Sequence, residues 1–100
     1  MIGYSFMLFF MDVIHNHEQN RFEVLLEGGS VAELSYTRKP GILSITHSYV
    51  PDAARGQGVA ARMMRAALEY ARRDDLEVAP ICSYAAAYLA QHKGQQTESV

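Results

Sequence analysis

Short stretches in which apolar and polar residues alternate occupy the first half of the chain, and this period of two predicts β-strands. Four such stretches cover residues 12–17, 22–26, 31–36 and 42–50. The connections between them are short, and two contain glycine, so an antiparallel meander is the natural arrangement. In the fourth strand the alternation predicts one common face, formed by Leu43, Ile45, His47 and Tyr49.

A helical period follows in the second half, where apolar residues recur every three or four positions over about residues 58–73. Its predicted buried stripe consists of Val59, Ala60, Met63, Met64, Ala67, Leu68 and Ala71. Residues 76–82 predict a fifth strand, and residues 84 to about 92 predict a short last helix with Ser83 as its cap. Strand, helix and strand in succession form a crossover, so strands four and five should run parallel.

Between the fourth strand and the long helix lies the segment Arg55-Gly56-Gln57-Gly58-Val59-Ala60. Its two glycines let backbone N–H groups crowd together and approach a ligand with no Cβ in the way. The unpaired N–H groups of the helix's first turn, and the positive end of its dipole, point at the same place. This geometry holds phosphates, so we expect a pyrophosphate-bearing cofactor here. The spacing alone also fits a glycine loop that only turns the chain.

The composition narrows the class of protein. One hundred residues, 49% hydrophobic and 20% charged, describe one ordinary globular domain. A net charge of −2 argues against a general nucleic-acid binder, although five of the nine basic residues lie within residues 55–73. The single cysteine excludes an internal disulfide and fits a reducing, cytoplasmic location. The Cys and His residues do not show the spacing of a zinc site, so no metal is expected.

The two ends of the chain differ from the domain between them, residues 12–93. Residues 1–11 are apolar but span only about half a membrane, and no basic residue precedes them, so neither a membrane span nor a signal peptide is expected. They are either an edge strand or packing arm, or an upstream extension with Met11 as the better start. Exposed aromatic residues would be sticky, so we expect packing on the domain or on a second copy as a homodimer arm. Residues 94–100 read as a loose polar tail.

The glycine loop also carries a family resemblance. The spacing Arg-x-x-Gly-x-Ala, formed by Arg55, Gly58 and Ala60, resembles the acyl-CoA loop of the GNAT acetyltransferase superfamily. The order of elements resembles a shortened GNAT domain without the helices usual between its first strands. Further pieces resemble a family of short, stand-alone GNAT-like proteins over about residues 12–93, namely Asn20-Arg21-Phe22-Glu23, Ala32-x-Leu34-x-Tyr36, His47-Ser48-x-Val50-Pro51, Ala67-Leu68, Val78-x-Pro80-x-Cys82-x-Tyr84, Tyr88 and His92. The resemblance implies a truncated α/β (α+β) GNAT fold whose parallel strands four and five splay apart.

The resemblance implies acetyl-CoA as the ligand and assigns its parts to this chain. In GNAT domains the strand before the loop diverges from its neighbour, and the pantetheine arm pairs with the exposed backbone, here Tyr49 and Val50. The pyrophosphate would lie on Arg55, Gly56, Gln57, Gly58, Val59 and Ala60. The acetyl thioester would lie in the opening between strands four and five, flanked by Cys82 and His47.

Cys82 is the first candidate catalytic residue that the resemblance implies. A thiolate attacks a thioester readily, and His47 could take its proton. In the direct route usual for the superfamily, Cys82 or Tyr84 would protonate the departing CoA thiolate, and His47 or a water would deprotonate the amine. The alternative is that Cys82 is a small buried hydrophobe and His47 an ordinary strand histidine. Three other histidines are secondary candidates: His15, His17 and His92.

Three hypotheses for the function follow. The first is an acetyl-CoA-dependent N-acetyltransferase acting on an unidentified amine, whether a small molecule, a protein lysine or a protein N-terminus. The second is a CoA-binding regulatory or interaction protein that transfers nothing, because the missing helices leave the acceptor groove unfinished. The third is a nucleic-acid module using the arginine-rich helix, which the net charge of −2 disfavours. Acid–base residues at the thioester favour the first hypothesis, and a buried, unreactive Cys82 would favour the second.

Overall fold

The computed structural model describes residues 12–92, which form one mixed sheet and two α-helices. The strands are β1 (Val13–Asn16), β2 (Arg21–Leu25), β3 (Val31–Lys39), β4 (Ile42–Tyr49) and β5 (Glu77–Pro80), and the helices are α1 (Val59–Arg73) and α2 (Ser83–Gln91). The strands lie side by side in chain order; β1 to β4 pair antiparallel and β5 pairs with β4 in parallel. The predicted α/β fold, with a meander followed by a crossover, is confirmed.

The hydrophobic core lies between α1 and one face of the sheet. Helix α1 contacts every strand of the described sheet, and we call the face it packs against the inner face and the opposite one the outer face. Met63 and Met64 of the predicted stripe are fully buried, together with Leu34 and Ile45 of the sheet. Tyr70, which the predicted stripe omitted, is also buried, with 7% exposure. Its position three residues after Ala67 places it on the same side of the helix.

A β-bulge interrupts strand β4. Tyr36 of β3 pairs with Ile45, but the preceding residue, Ser35, pairs with His47, so Thr46 is an extra residue without a partner in the register. Side chains alternate between the two faces with a period of two. One extra residue therefore moves every side chain after it to the face opposite the one that the alternation predicts. The regular alternation read from the sequence therefore holds only for the first half of the strand.

The bulge places His47 and Tyr49 on the outer face. His47 pairs with Ser35, and Tyr49 pairs with Glu33, and both partners are outer-face residues of β3. The prediction that His47 and Tyr49 share a face with Leu43 and Ile45 is wrong. The candidate histidine consequently points away from the hydrophobic core.

Strands β4 and β5 separate halfway along β4. Pairing covers Ile42–Ile45 against Glu77–Pro80. The last contact is the Ile45 carbonyl, which accepts from the N–H groups of both Ile81 and Cys82, each at 3.0 Å. Strand β5 is therefore shorter than the predicted 76–82, because the chain leaves the sheet at this point to enter α2. The second half of β4 continues without a β5 partner.

Two parts of the predicted organisation lie outside the described residues. These are the apolar segment 1–11, with its proposed role as a homodimer arm, and the end of the chain from residue 93, including the polar tail 94–100. Within residues 12–92 no helix is long and apolar enough to cross a membrane.

Candidate functional site

The loop that joins β4 to α1 presents a row of backbone donors. None of the hydrogen bonds formed within residues 12–92 uses the N–H groups of residues 56–61. Gly56 and Gly58 have φ angles of 81° and 78°, in the left-handed region where only glycine is free of strain. Gly58 is also the N-cap of α1, a helix of 15 residues. The loop therefore offers several amides and the positive end of a helix dipole to one anion.

These amides border an open cleft of about 280 Å³. Val50 lines one side, Tyr84 of α2 lines another, and the glycine loop and first turn of α1 lie between them. All the predicted pyrophosphate residues line this cleft except Gln57, whose side chain borders a separate cavity of about 210 Å³. Apart from its chain neighbours, a Cβ added at Gly56 or Gly58 would meet no atom of residues 12–92 within 4 Å, so these glycines are required for their backbone angles and not for lack of space.

Arg55 is tied to the chain just before it. Its Nε donates to the Val50 carbonyl at 3.2 Å, and its Nη1 lies 3.2 Å from Oδ1 of Asp52. Both charged side chains are largely exposed, 66% for Arg55 and 90% for Asp52, so water screens the ion pair. The guanidinium can therefore exchange Asp52 for a phosphate at little cost. The Val50 carbonyl belongs to the backbone that the resemblance assigned to the pantetheine arm, and in this structure it accepts from Arg55.

Cys82 lies where β4 and β5 separate, at the N-terminus of α2. Its Sγ accepts a hydrogen bond from the N–H of Ala85 at 3.4 Å, so Cys82 is the N-cap of the helix and the predicted cap, Ser83, is its first residue. The side chain is half-buried and packs against the hydrophobic core. The thiol is thus fixed in orientation beside the opening between the strands.

Tyr84 follows Cys82 by two residues at the start of α2, whereas His47 lies on the outer face of β4. Burial first, and then the neighbouring Tyr88, raise the pKa of Tyr84, so its hydroxyl keeps its proton at neutral pH. His47 is exposed on the outer face and forms no hydrogen bond with Cys82 in the part of the chain that the structure describes. Cys82 and Tyr84 therefore both lie at the start of α2, and His47 lies on the outer face of β4.

The secondary candidate histidines have structural contacts. The ring of His15 stacks between those of His17 and Phe22, with centroids 3.7 and 4.1 Å away. His92 stacks on Tyr88 with centroids 4.0 Å apart. These contacts occupy the faces of the imidazole rings, so packing accounts for the three histidines without a bound ligand.

His15 also belongs to a network that sequence reasoning missed. We call it the tyrosine network; its members are His15, Tyr36, Tyr70, Arg38 and Asp74. The Nε2 of His15 lies 2.6 Å from the Tyr36 hydroxyl, and the rings of Tyr36 and Tyr70 are 5.8 Å apart. Arg38 donates to the Tyr70 hydroxyl at 2.6 Å and to Asp74 at 2.8 Å. The network joins β1 and β3 to the C-terminal half of α1.

Comparison with known proteins agrees with this geometry. Residues 21–98 match the model of the family described as GCN5-related N-acetyl-transferase. The chain belongs to this family. Protein NATD1 of Mus musculus is 32% identical over 83 residues, covering 80% of this chain and 74% of the relative. Protein NATD1 of Gallus gallus is 32% identical over 85 residues, covering 82% and 76%. A GCN5-like protein from Staphylococcus aureus, solved by NMR in solution, superposes with a TM-score of 0.70 at 27% identity, covering 87% and 85% of the two chains.

The GCN5-related N-acetyltransferase fold generally binds acetyl-CoA, and the site fits such a ligand. The cleft at the start of α1 combines unpaired amides with a helix N-terminus, which suits a diphosphate. The separated strands β4 and β5 leave backbone of β4 unpaired beside Cys82, which suits an extended amide-bearing arm. Membership of the family supports acetyl transfer as the general chemistry.

Proposed function

We propose that this protein is an acetyl-CoA-dependent N-acetyltransferase that acts on an amine. The observation that carries the proposal is the set of N–H groups of residues 56–61, which have no acceptor within residues 12–92 and belong, except for Gln57, to residues that line the cleft. Groups of this kind at a helix N-terminus bind anions with their dipoles already oriented. Arg55 adds a positive charge that is only weakly held by Asp52.

The rest of the donor would follow the chain in the direction of Cys82. The backbone of Tyr49 and Val50 would bind the pantetheine arm, as an additional strand binds the edge of a sheet. The thioester would then reach the point where β4 and β5 separate, next to Cys82. Binding of the remote diphosphate would position the reacting carbonyl and reduce the entropic cost of the reaction.

In the direct route, the amine nitrogen attacks the thioester carbonyl carbon and the carbon–sulfur bond breaks. Tyr84 would be the proton donor to the departing sulfur, because it lines the donor cleft and its hydroxyl is protonated at neutral pH. His47 is exposed on the outer face, where it would accept the proton that the amine loses. The acid and the base would thus act from opposite sides of the opening.

A route through an acetyl-cysteine intermediate would also take place at the opening between β4 and β5. The Sγ of Cys82 would attack the carbonyl carbon, release CoA as a thiol and pass the acetyl group from its own thioester to the amine. This route needs a base for the thiol, and His47 forms no hydrogen bond with Cys82 in the described part of the chain. The absence of this hydrogen bond favours the direct route.

Thermal unfolding with different ligands tests the donor. We expect acetyl-CoA and CoA to stabilise the protein, by about 2.7 kcal/mol at one hundred times the dissociation constant, while a nucleotide without pantetheine stabilises it less. Equal indifference to all three ligands would remove the proposal.

A second candidate function is a CoA-binding protein that transfers nothing. The observation that favours it is the use of the Cys82 thiol as a helix cap, without a hydrogen bond to His47 in the described residues. Mass spectrometry separates the two functions. Acetylated amine or acetyl-Cys82 after incubation with acetyl-CoA supports the transferase, whereas thermal stabilisation without any acetylated product supports the binding protein.

A further inference from the structure

The outer face of the sheet carries a carboxylate and an aromatic ring side by side, next to His47. Glu33 of β3 pairs with Tyr49 of β4, and Ser35 pairs with His47. Directly opposed residues of antiparallel strands have Cβ atoms about 4.5–5.5 Å apart, and diagonal neighbours lie about 7–8 Å apart. Glu33 is therefore the direct neighbour of Tyr49 and the diagonal neighbour of His47.

The carboxylate of Glu33 is held in a fixed position by a shared arginine. Arg21 contacts Glu23 through Nε at 2.6 Å and Oε1 of Glu33 through Nη1 at 2.9 Å. The guanidinium thus pairs with two carboxylates, so the three side chains together carry a net formal charge of −1. The other oxygen of Glu33, Oε2, accepts no hydrogen bond from residues 12–92, and the side chain keeps 27% of its surface exposed. Glu33 is oriented and still has an acceptor to offer.

The donor cleft lies on the inner side of the opening between β4 and β5, so the outer side is not part of it. The cleft is formed by the first turn of α1, which packs on the inner face, and by Tyr84 of α2. Tyr49 is 47% exposed, and His47 is exposed as well. A second substrate can therefore reach the opening from the outer face without crossing the donor.

We propose that Glu33 and Tyr49 bind a positive charge of the acetyl acceptor while His47 faces its reacting nitrogen. This inference rests on the proposed function and names the class of acceptor. A carboxylate forms a charge-assisted hydrogen bond with an ammonium, and an aromatic ring beside it adds a cation–π contact. The attacking nitrogen has to be neutral, so the charge bound by Glu33 belongs to a second group of the acceptor.

The acceptor is accordingly a short amine with two cationic groups, such as an aliphatic diamine. The spacing supports this class, because the diagonal from Glu33 to His47 is about 7–8 Å, which a short diamine spans and a monoamine cannot exploit. Arg21 contributes by holding Glu33 in place.

Steady-state kinetics with a matched pair of amines test the inference on the full chain. Cadaverine and pentylamine have the same carbon chain, but only cadaverine carries a second charge. We expect acetylation of cadaverine with a KM about tenfold lower than that of pentylamine. Glu33→Gln should raise the KM for cadaverine about tenfold and so remove the preference for cadaverine over pentylamine.

Glu23→Gln is the control, because it removes the same unit of charge from the same arginine one strand further from His47. It should change the KM for cadaverine by no more than about twofold. Equal effects of the two variants, equal use of the two amines, or donor-induced stabilisation without acetylation of either amine would each overturn the inference.

Binding without donor separates this inference from the proposed function. Cadaverine alone should shift the NMR signals of Glu33 and Tyr49 in the wild-type protein and not in Glu33→Gln. Failure of acetyl-CoA to bind would count against the proposed function and leave this result standing. Failure of cadaverine to shift these signals would overturn the acceptor class while donor binding remained intact.

Discussion

The polar groups at the two ends of α1 differ in whether they have hydrogen-bond partners. Around its C-terminal half, the tyrosine network gives the His15 ring and the Tyr70 hydroxyl a partner at 2.6 Å each. At its first turn, the N–H groups of residues 56–61 have no acceptor in the described chain. A buried polar group without a partner costs about 1–3 kcal/mol, so donors can stay unpaired only where water or a ligand reaches them. The comparison separates an end whose polar groups pair with one another from an end whose donors remain available to a ligand, which we call the binding end.

The titration behaviour of the network agrees with a structural role. Burial first, and then the positive charges of His17 and Arg73, lower the pKa of His15 to about 4. Burial and the neighbouring Tyr70 raise the pKa of Tyr36 to about 12. His15 and Tyr36 are therefore both neutral around pH 7, which is the form that an apolar environment tolerates.

The strongest test of the comparison removes one hydroxyl from the tyrosine network. Tyr70→Phe removes the hydroxyl that accepts from Arg38 and leaves Arg38 only its exposed pair with Asp74, so we expect the free energy of unfolding to fall by about 2 kcal/mol, as for a hydrogen bond to a charged group. The affinity for acetyl-CoA should not change. Tyr88→Phe is the control, because Tyr88 is equally buried but its hydroxyl forms no hydrogen bond within residues 12–92. Equal destabilisation by both variants, measured by urea unfolding, would argue that ring packing alone supports this end.

The converse test changes the binding end. Gly58→Ala forces a left-handed backbone angle on alanine and disturbs the adjoining amides, so the dissociation constant for acetyl-CoA should rise about tenfold or more, measured by calorimetry. Gly41→Ala is matched to it, since Gly41 has a φ of 79° and open space around its Cβ but lies in the β3–β4 turn. Both variants should lose similar stability, about 1 kcal/mol. Equal loss of donor affinity in both would mean that the loop amides do not hold the ligand.

The features that sequence reasoning predicted correctly rest on local signals. The period of α1 and the alternation of β2 and β3 are carried by neighbouring residues, and the glycine loop is marked by its own composition. The parallel pairing of β4 and β5 follows from the crossover rule once those elements are placed. These features needed no knowledge of distant contacts.

The features that were missed depend on residues far apart in the chain. The β4 alternation looks regular through His47, and the extra residue Thr46 is evident only from its register against β3. The tyrosine network joins residues separated by 21 to 36 positions. At the start of α2, serine is the commoner N-cap, and the choice of Cys82 follows from where β5 leaves the sheet.

A fall in pH provides a further test of the comparison, because it should destabilise the tyrosine network without affecting the glycine loop. The folded-state pKa of His15, about 4, is below its unfolded value of 6.5, so the unfolded chain binds the proton more readily between these values. The free energy of unfolding should therefore fall as the pH drops from 6.5 to 4, and stay constant with respect to this group above and below that window. Part of the ring contacts water, so screening limits the loss to about 1 kcal/mol. His15→Gln should flatten this slope in urea unfolding, and an unchanged slope would assign it to other groups.

The smallest expected effect concerns the charge beside the loop. Asp52→Asn removes the carboxylate that pairs with Arg55, so acetyl-CoA should bind about twofold more tightly at low salt and equally well at high salt. Glu69→Gln is the control, since it breaks a comparable exposed pair with Arg72 on α1 and changes the net charge equally. A similar gain in the control would attribute the effect to the overall charge. A large gain in Asp52→Asn alone would mean that the guanidinium, and not the row of amides, holds the diphosphate, and the binding end would then depend on a side chain as the tyrosine network does.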